Sequence, residues 1–454
     1  MAEKTMKENK MGVMTVRRLI ISMSLPMMFS MLVQALYNIV DSIFVSRISE
    51  SALTAVTLAF PMQNLMIAVG AGTGVGINAL LSKSLGEKDF DKSDGAANTG
   101  LLLAFLSFLL FLLLGAFGAE PFIRTQTSNP EIADAACSYL QIVCCMSLGL
   151  FYQVTFERLL QSTGRTFQSM ISQMTGAIIN IIFDPIMIFG YFGLPAMGVS
   201  GAALATVLGQ TVAAFIGLSL NLKQNPEIHL SIRRIFHPSG EIVGRIYFVG
   251  VPSILMMSVG SFMNYLMNRI LIGFSETATA VFGVYFRLQS FFFMPIFGLN
   301  NGLIPVLAFN YGAKSRKRID EALRFSLLLA FCVMSCGTLI FEFFPRQLLL
   351  LFNASEDMMG IGSIAMRIIA LNFPLAAVGI ILGSVFQAFS RSYYSLIIGL
   401  CRQLVILIPA AWLIARITGN VNMVWWSFPI SEVISAVLSL FFFRKVYRDV
   451  TSSL

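Results

Sequence analysis

Charge is what this sequence has least of. Asp, Glu, Lys and Arg make up 12% of its 454 residues, against roughly 25% in an ordinary globular chain, while apolar residues reach 56%. No soluble fold could cover that much apolar surface. Histidine is nearly absent. His229 and His237 are the two in the chain, both in a polar loop without metal-ligand spacing, so no histidine-based metal site is expected. The six cysteines (Cys137, Cys144, Cys145, Cys332, Cys336 and Cys401) fall inside apolar runs, where thiols act as small hydrophobes and not as disulfide partners. The HExxH, Walker A and GxSxG patterns are missing too, and with them the usual signatures of enzymes that such motifs mark.

What is there is apolar helix. A membrane span needs about 20 apolar residues, and such a run recurs about every 35 to 40 residues. The chain therefore reads as an all-α integral membrane protein with twelve transmembrane helices. They are expected near residues 18–47, 52–82, 93–118, 131–160, 165–191, 198–222, 242–272, 277–309, 317–344, 357–388, 392–416 and 422–446. The basic residues Lys4, Lys7, Lys10, Arg17 and Arg18 precede an apolar stretch from about Leu19 to Val45. That stretch is too long for the core of a secretory signal and lacks a small-residue cleavage site, so it is the first span. Connections are short except around Lys223 to Glu241. The expected organisation is a tail over 1–17, an N-lobe over 18–222, a linker over 223–241, a C-lobe over 242–446 and a tail over 447–454.

Lys and Arg gather on one side: the N-terminal tail, Lys83 to Lys92, Arg165, the linker with Arg233, Arg234 and Arg245, Lys314 to Arg318, Arg391, and Arg444 to Arg448. By the positive-inside rule both termini are cytoplasmic, in a multi-pass protein of the plasma membrane. The net charge of +8 suits anionic lipid headgroups as partners and not nucleic acid.

Sliding the chain against itself by 226 residues, the spacing from Pro26 to Pro252, aligns further landmarks. Asn38 meets Asn264, Gly72 and Gly76 meet Gly298 and Gly302, and Gly86-x-Lys88 meets Gly312-x-Lys314. Gln161-x-x-x-Arg165 likewise meets Gln387-x-x-x-Arg391. Six spans per half insert the same way up, giving two parallel repeats about an axis along the membrane normal. The glycine pairs lie in apolar spans, where small-xxx-small spacing means close helix packing and not a phosphate loop.

A charge at bilayer depth is costly and marks function by default. Asp41 lies in the first helix on one face with Tyr37 and Gln34; Asp184 lies in the fifth, one turn beyond Asn180. Converging carboxylate and amide oxygens at that spacing can bind a proton or a hard cation such as sodium. Structural alternatives are a hydrogen-bonded carboxylate at Asp41 and a helix-break residue at Asp184, which precedes Pro185. The equivalents 226 residues on are Met267, Ile406 and Ala410, so the acidic site belongs to one lobe. The other half offers Arg287, Arg367, Arg402 and Glu432, with Arg287, Arg402 and Glu432 expected to form an ion-pair cluster. A sharper reading turns Arg287 into the cavity, against substrate.

The sequence resembles the multidrug and toxic compound extrusion (MATE) family over essentially its whole length. The resemblance is carried by Ser24-Leu25-Pro26, Asp41-Ser42-Ile43-Phe44-Val45, Gln161-Ser162-Thr163-Gly164, Asn180-x-x-x-Asp184-Pro185, the run from Gly198 to Thr206, and Gly298-x-Asn300-x-Gly302. It implies a V-shaped two-lobe bundle that exports amphipathic or cationic organic compounds by antiport with H+ or Na+. No other cofactor is implied, no enzyme activity is expected, and a monomer is expected. Carried over, the cation-coupling site comprises Asp41, Asn180, Asp184 and Thr206, with Ala202 contributing a carbonyl; Gln34 and Tyr37 line the nearby substrate cavity, and Arg287 joins them there only on the sharper reading above. NorM-type members carry acids in helices seven and ten, where this chain has Asn264, Asn268, Arg269, Arg367 and Asn372, so a MepA-like branch fits better. Two rival readings are a lipid-linked oligosaccharide flippase of the same superfamily, using the arginines for diphosphate, and an integral membrane lipid enzyme.

Overall fold

The computed structural model describes residues 9–352 and 354–451. Lys4 and Lys7 of the basic tail, and residues 452–454, lie outside the described residues. Ten helices are individually long and apolar enough to cross a membrane, and two bent pairs bring the spans to twelve. In chain order they are α1 (Val16–Ser46), α2 (Glu50–Gly86), α3 (Phe90–Arg124), α4 (Pro130–Cys145 and Leu148–Ser162), α5 (Thr166–Phe189) and α6 (Gly198–Gln224). The second half repeats the plan with α7 (Gly240–Leu271), α8 (Glu276–Gly312), α9 (Arg316–Phe343), α10 (Glu356–Ala370 and Phe373–Ala388), α11 (Ser392–Thr418) and α12 (Val421–Val450). The bends in α4 and α10 are both 46°. The third span runs six residues past its expected end at 118, through a π-helical turn at Leu114–Gly118. There Gly115 lets α3 approach α4 so closely that a Cβ would sit 2.7 Å from that of Cys144.

Conformation repeats even where sequence does not. Lys88 and Lys314 share left-handed φ values of 60° and 54°, and so do Gly164 and its counterpart Ser390, at 91° and 57°. Proline at 26 and 252 removes a backbone donor from α1 and α7 and frees a carbonyl four residues earlier. The Thr166 hydroxyl at the start of α5 donates to the Ser22 carbonyl at 3.3 Å. Its counterpart Ser392, at the start of α11, donates to the Phe248 carbonyl at 3.5 Å and to that of Val249 at 3.0 Å. Each freed carbonyl is thus served by a hydroxyl from the same neighbouring helix of its own lobe.

The lobes meet along α1 with α8, α2 with α7, and α2 with α8. The repeat exchanges α1 with α7 and α2 with α8, so the first two pairings are images of each other. The glycines aligned by the repeat are the seam. A Cβ on Gly86 would strike the Phe309 carbonyl oxygen and one on Gly312 that of Lys83, while Gly298 lies on the Met28 backbone and Gly302 on that of Ser24. These contacts lie in the halves of the helices nearest the termini. Beyond the Asn64 to Ser261 hydrogen bond (2.9 Å) the same helices expose Leu36, Phe60, Phe262 and Tyr265, and the V opens on the face away from the termini.

The N-terminal tail is more than a leader to the first span, which already begins at Val16. A short helix, Lys10–Val13, straps the closed end of the V. Asn9 donates to the Thr163 carbonyl of the first lobe at 2.9 Å, and Arg318 of the second donates to the carbonyls of Met11 and Met14 at 2.9 and 2.8 Å. Burial, then the neighbouring Arg165, lowers the pKa of the Lys10 ammonium.

Gly312→Val places a branched side chain against backbone that cannot move aside, whereas at Gly244 an added Cβ meets open space. The first substitution is expected to cost about 1–3 kcal/mol more than the second, read as a lower thermal unfolding midpoint of the purified protein. Equal midpoints for the two variants would contradict the assignment of the seam.

Candidate functional site

The site lies where α1, α5 and α6 converge. Small residues let α5 and α6 approach: a Cβ on Gly209 would come 2.6 Å from the Gly176 carbonyl oxygen and 3.2 Å from the Asn180 side chain. That approach sets Thr206 of α6 against Asn180 of α5. In the amide orientation that satisfies both neighbours, Asn180 Nδ2 donates to Asp184 Oδ2 at 3.1 Å. Its oxygen accepts from Thr206 Oγ1 at 3.3 Å and from the Thr206 backbone N–H at 3.1 Å. Asp184 is wholly buried, Asn180 and Thr206 nearly so. Ala202, one turn before Thr206, is buried on the same helix.

From α1, half-buried Asp41 faces Asp184, with the two carboxyl groups at hydrogen-bonding range. Tyr37, one turn earlier, meets the Thr206 hydroxyl. One further turn along, Gln34 accepts a hydrogen bond from Gln173 of α5 at 3.5 Å. Asp41 and Asp184 each keep a buried Oδ1 without any partner. Two carboxylates this close repel, by about 4 kcal/mol for unit charges about 4 Å apart at an effective dielectric of about 20. A proton or a monovalent cation between them removes the repulsion and occupies the orphaned oxygens. The donor set of two carboxylates, an amide and a hydroxyl suits either.

Four residues here escaped the sequence reading. Tyr139 of α4 donates to Gln63 of α2 at 3.3 Å, and its phenol lies within the electrostatic reach of Asp41 and Tyr37. Neither carries a formal charge that would single it out. Glu157 and Arg158, both buried in the second segment of α4, are charges inside an apolar span, and the rule that selected Asp41 selects them equally.

The second lobe has no acidic counterpart: Met267 fills the position equivalent to Asp41 and is fully buried. Arg402 and Glu432 form the expected pair at 3.5 Å. Arg402 lies in a π-helical stretch, Cys401–Leu407, and its carbonyl accepts from Ser431 at 2.5 Å. Arg287 does not join them. It stands with Gly283 and Phe291 on an exposed stripe of α8 and forms no ion pair among the described residues, so the expected cluster of three is a pair. Arg367 is likewise exposed and donates to the Glu342 carbonyl at 3.2 Å. Among the described residues no group of three or more His, Cys, Asp or Glu could hold a metal ion.

The MatE family model matches the chain twice, over residues 26–186 and 252–413. The two matches begin at Pro26 and Pro252, the same pair that defines the internal repeat. The chain is 26% identical over 420 residues to the multidrug export protein MepA of Staphylococcus saprophyticus, covering 92% of this chain and 91% of that one. It is 24% identical over 440 residues to a FAD transporter of Shewanella oneidensis, covering 96% of each. Among solved structures, a MATE in complex with MaL6 superposes with a TM-score of 0.92 at 26% identity, covering 98% of this chain and 99% of that one. An outward-facing multidrug resistance MATE transporter of the MOP superfamily gives 0.91 at 26% identity, covering 99% and 100%. Two matches to one family model, spread over both lobes and joined to a shared fold, make this chain a member of the MATE family.

Proposed function

We propose that this chain is a multidrug efflux transporter that exports amphipathic or cationic organic compounds by antiport with H+ or Na+ at the Asp41–Asp184 pair. The observation that carries this reading is the pair itself: two facing carboxyls, each with a buried oxygen lacking a partner, in one lobe of an otherwise repeated scaffold. The MepA relatives support multidrug export as the substrate class. The arginines favour antiport over a diphosphate flippase, since Glu432 neutralises Arg402 and the Glu342 carbonyl holds Arg367. Arg287 remains, exposed and without an ion pair among the described residues.

With both termini cytoplasmic, the strapped seam is the inner gate and the open face of the V is external. A cation entering from outside binds between Asp41 and Asp184. It draws α1 toward α5 through Tyr37, Asn180 and Thr206, and reshapes the cavity by Gln34 and Gln173 so that substrate leaves outward. Return to the inward-open state releases the cation, and substrate then competes for the vacated site. Alternating access arises because one ion cannot satisfy both arrangements equally. A membrane potential contributes about 2.3 kcal/mol per charge per 100 mV, roughly a fifty-fold gradient. Exchanging one cation for one monovalent cationic substrate moves no net charge, and the potential then contributes nothing. Each chain holds a complete site, so a monomer suffices.

Counterflow of ethidium in proteoliposomes, with sodium and proton gradients imposed separately, tests the coupling. One of the two gradients is expected to drive uptake and Asp41→Asn to abolish that drive; gradient-driven transport by the folded variant at the wild-type rate would sink the proposal. Thr206→Val removes a hydrogen bond worth about 1 kcal/mol. It is expected to raise the midpoint concentration of the coupling ion about fivefold without stopping transport, and an unmoved midpoint would take Thr206 out of the site.

A further inference from the structure

We propose that Glu157 is a second proton-binding site, and that Arg158 expels its proton when the seam between the lobes opens. This rests on the antiport reading above and assigns it a further ion. Glu157 lies in the part of α4 nearest the closed end of the V and is 7% exposed. One amide serves it: Gln153 Nε2, one turn nearer the open face, donates to Oε1 at 2.9 Å. No Lys, Arg or His forms an ion pair with it among the described residues. Arg158 is the one charged group whose field reaches it, and α2, α3, α5, α6 and α8, which pack on this segment, bring no other.

Arg158 is turned the other way. Its Nη1 donates to Gln161 at 2.9 Å and, across the seam, to Asn301 of α8 at 3.0 Å. Gly74 of α2 makes room for the arginine stem, since a Cβ there would sit 2.7 Å from Arg158 Cγ. The second lobe fills the same positions differently. Asn300 and Ser384 hydrogen-bond to each other in place of Gly74 and Arg158, and Gly383 stands where Glu157 does. This buried acid therefore belongs, like the Asp41–Asp184 pair, to the first lobe alone.

With the guanidinium held by Asn301, charge on Glu157 has no partner in a water-poor site, and a bound proton removes that charge. Opening the seam parts Asn301 from Arg158. The guanidinium is then free to pair with Glu157, whose O–H bond breaks and whose proton passes to water on the terminus side. Closing the seam returns Arg158 to Asn301, and the carboxylate takes a proton from the open face past half-buried Gln153. One proton crosses inward per cycle beside the ion at Asp41–Asp184. Exchange for a monovalent cationic substrate then moves one net positive charge inward, so the membrane potential drives export.

Infrared difference spectroscopy of the full-length protein in lipid bilayers, titrated from alkaline to acidic pH, reads the carbonyl stretch of protonated carboxyl groups. Glu157→Gln, which keeps the size and the contact with Gln153, is expected to delete one component of that band, and Asp41→Asn to alter a different one. A band unchanged by Glu157→Gln overturns the inference. A band changed by Glu157→Gln and untouched by Asp41→Asn and Asp184→Asn overturns the coupling site and leaves Glu157 standing. Should the Gln variant fail to fold, Glu157→Asp is expected to shift the same component, and an unshifted band there overturns the inference. Asn301→Ala, which frees Arg158, is expected to move the midpoint of the Glu157 component at least tenfold in proton concentration toward acid. An unmoved midpoint removes Arg158 from the mechanism.

Discussion

Backbone-to-backbone contact at Gly86 and Gly312 is the constraint on which the remaining structure depends. Lipid tails are as apolar as leucine, so nothing hydrophobic drives two lobes together within a bilayer; close packing and hydrogen bonds must do it. A residue without a side chain lets α2 and α8 touch carbonyl to Cα, and the same economy at Gly72, Gly298 and Gly302 extends the seam. Because these positions lie in the halves of the helices nearest the termini, contact there leaves the far halves apart. The strap of residues 9–14, tied to one lobe through Asn9 and to the other through Arg318, completes the closed end. Opening the V on the other side would have to undo these contacts together, which makes the two arrangements distinct states and not a continuum.

On this symmetric frame the chemistry is one-sided. Both lobes repeat the prolines within the first helix, the hydroxyls that serve the carbonyls they free and the left-handed turns, yet the paired carboxyls and the Glu157–Arg158 unit occur in the first lobe only. The second lobe replaces them with Met267, Ala410 and Gly383, and its one buried acid among the described residues, Glu432, is already matched by Arg402. Unequal lobes allow an ion in one of them to bias the whole bundle.

Much of this was legible in the sequence for physical reasons. Spans announce themselves because twenty apolar residues leave little alternative, and Asp41 and Asp184 stood out because charge is scarce there. Thr206 and Ala202 carried no such signal and entered through the family resemblance. Glu157 and Arg158 are equally visible, as adjacent charges of opposite sign inside an apolar span. Arg287 falls outside the expected ion-pair cluster for a different reason. The eighth helix is apolar nearly all round, so no periodicity reveals which face is buried, and only packing shows that the stripe of Gly283, Arg287 and Phe291 is an exposed one. The strap was unreadable because a four-residue helix cannot form by itself and exists through its contacts with both lobes. Tyr139 and Gln63 reach the site through helices that one sequence cannot place side by side.

The central claim is that the ion held in the first lobe sets which side of the seam is open. Spin labels at Ser46 and Ile272, exposed at the far ends of α1 and α7, report the width of the V directly in a cysteine-free background. Acidification or added sodium is expected to change the population of the wide distance in the wild-type frame and to leave it unchanged once Asp41 and Asp184 are both amides. A distance distribution that responds to neither ion in the wild-type frame, or that responds equally without the carboxyls, would contradict it.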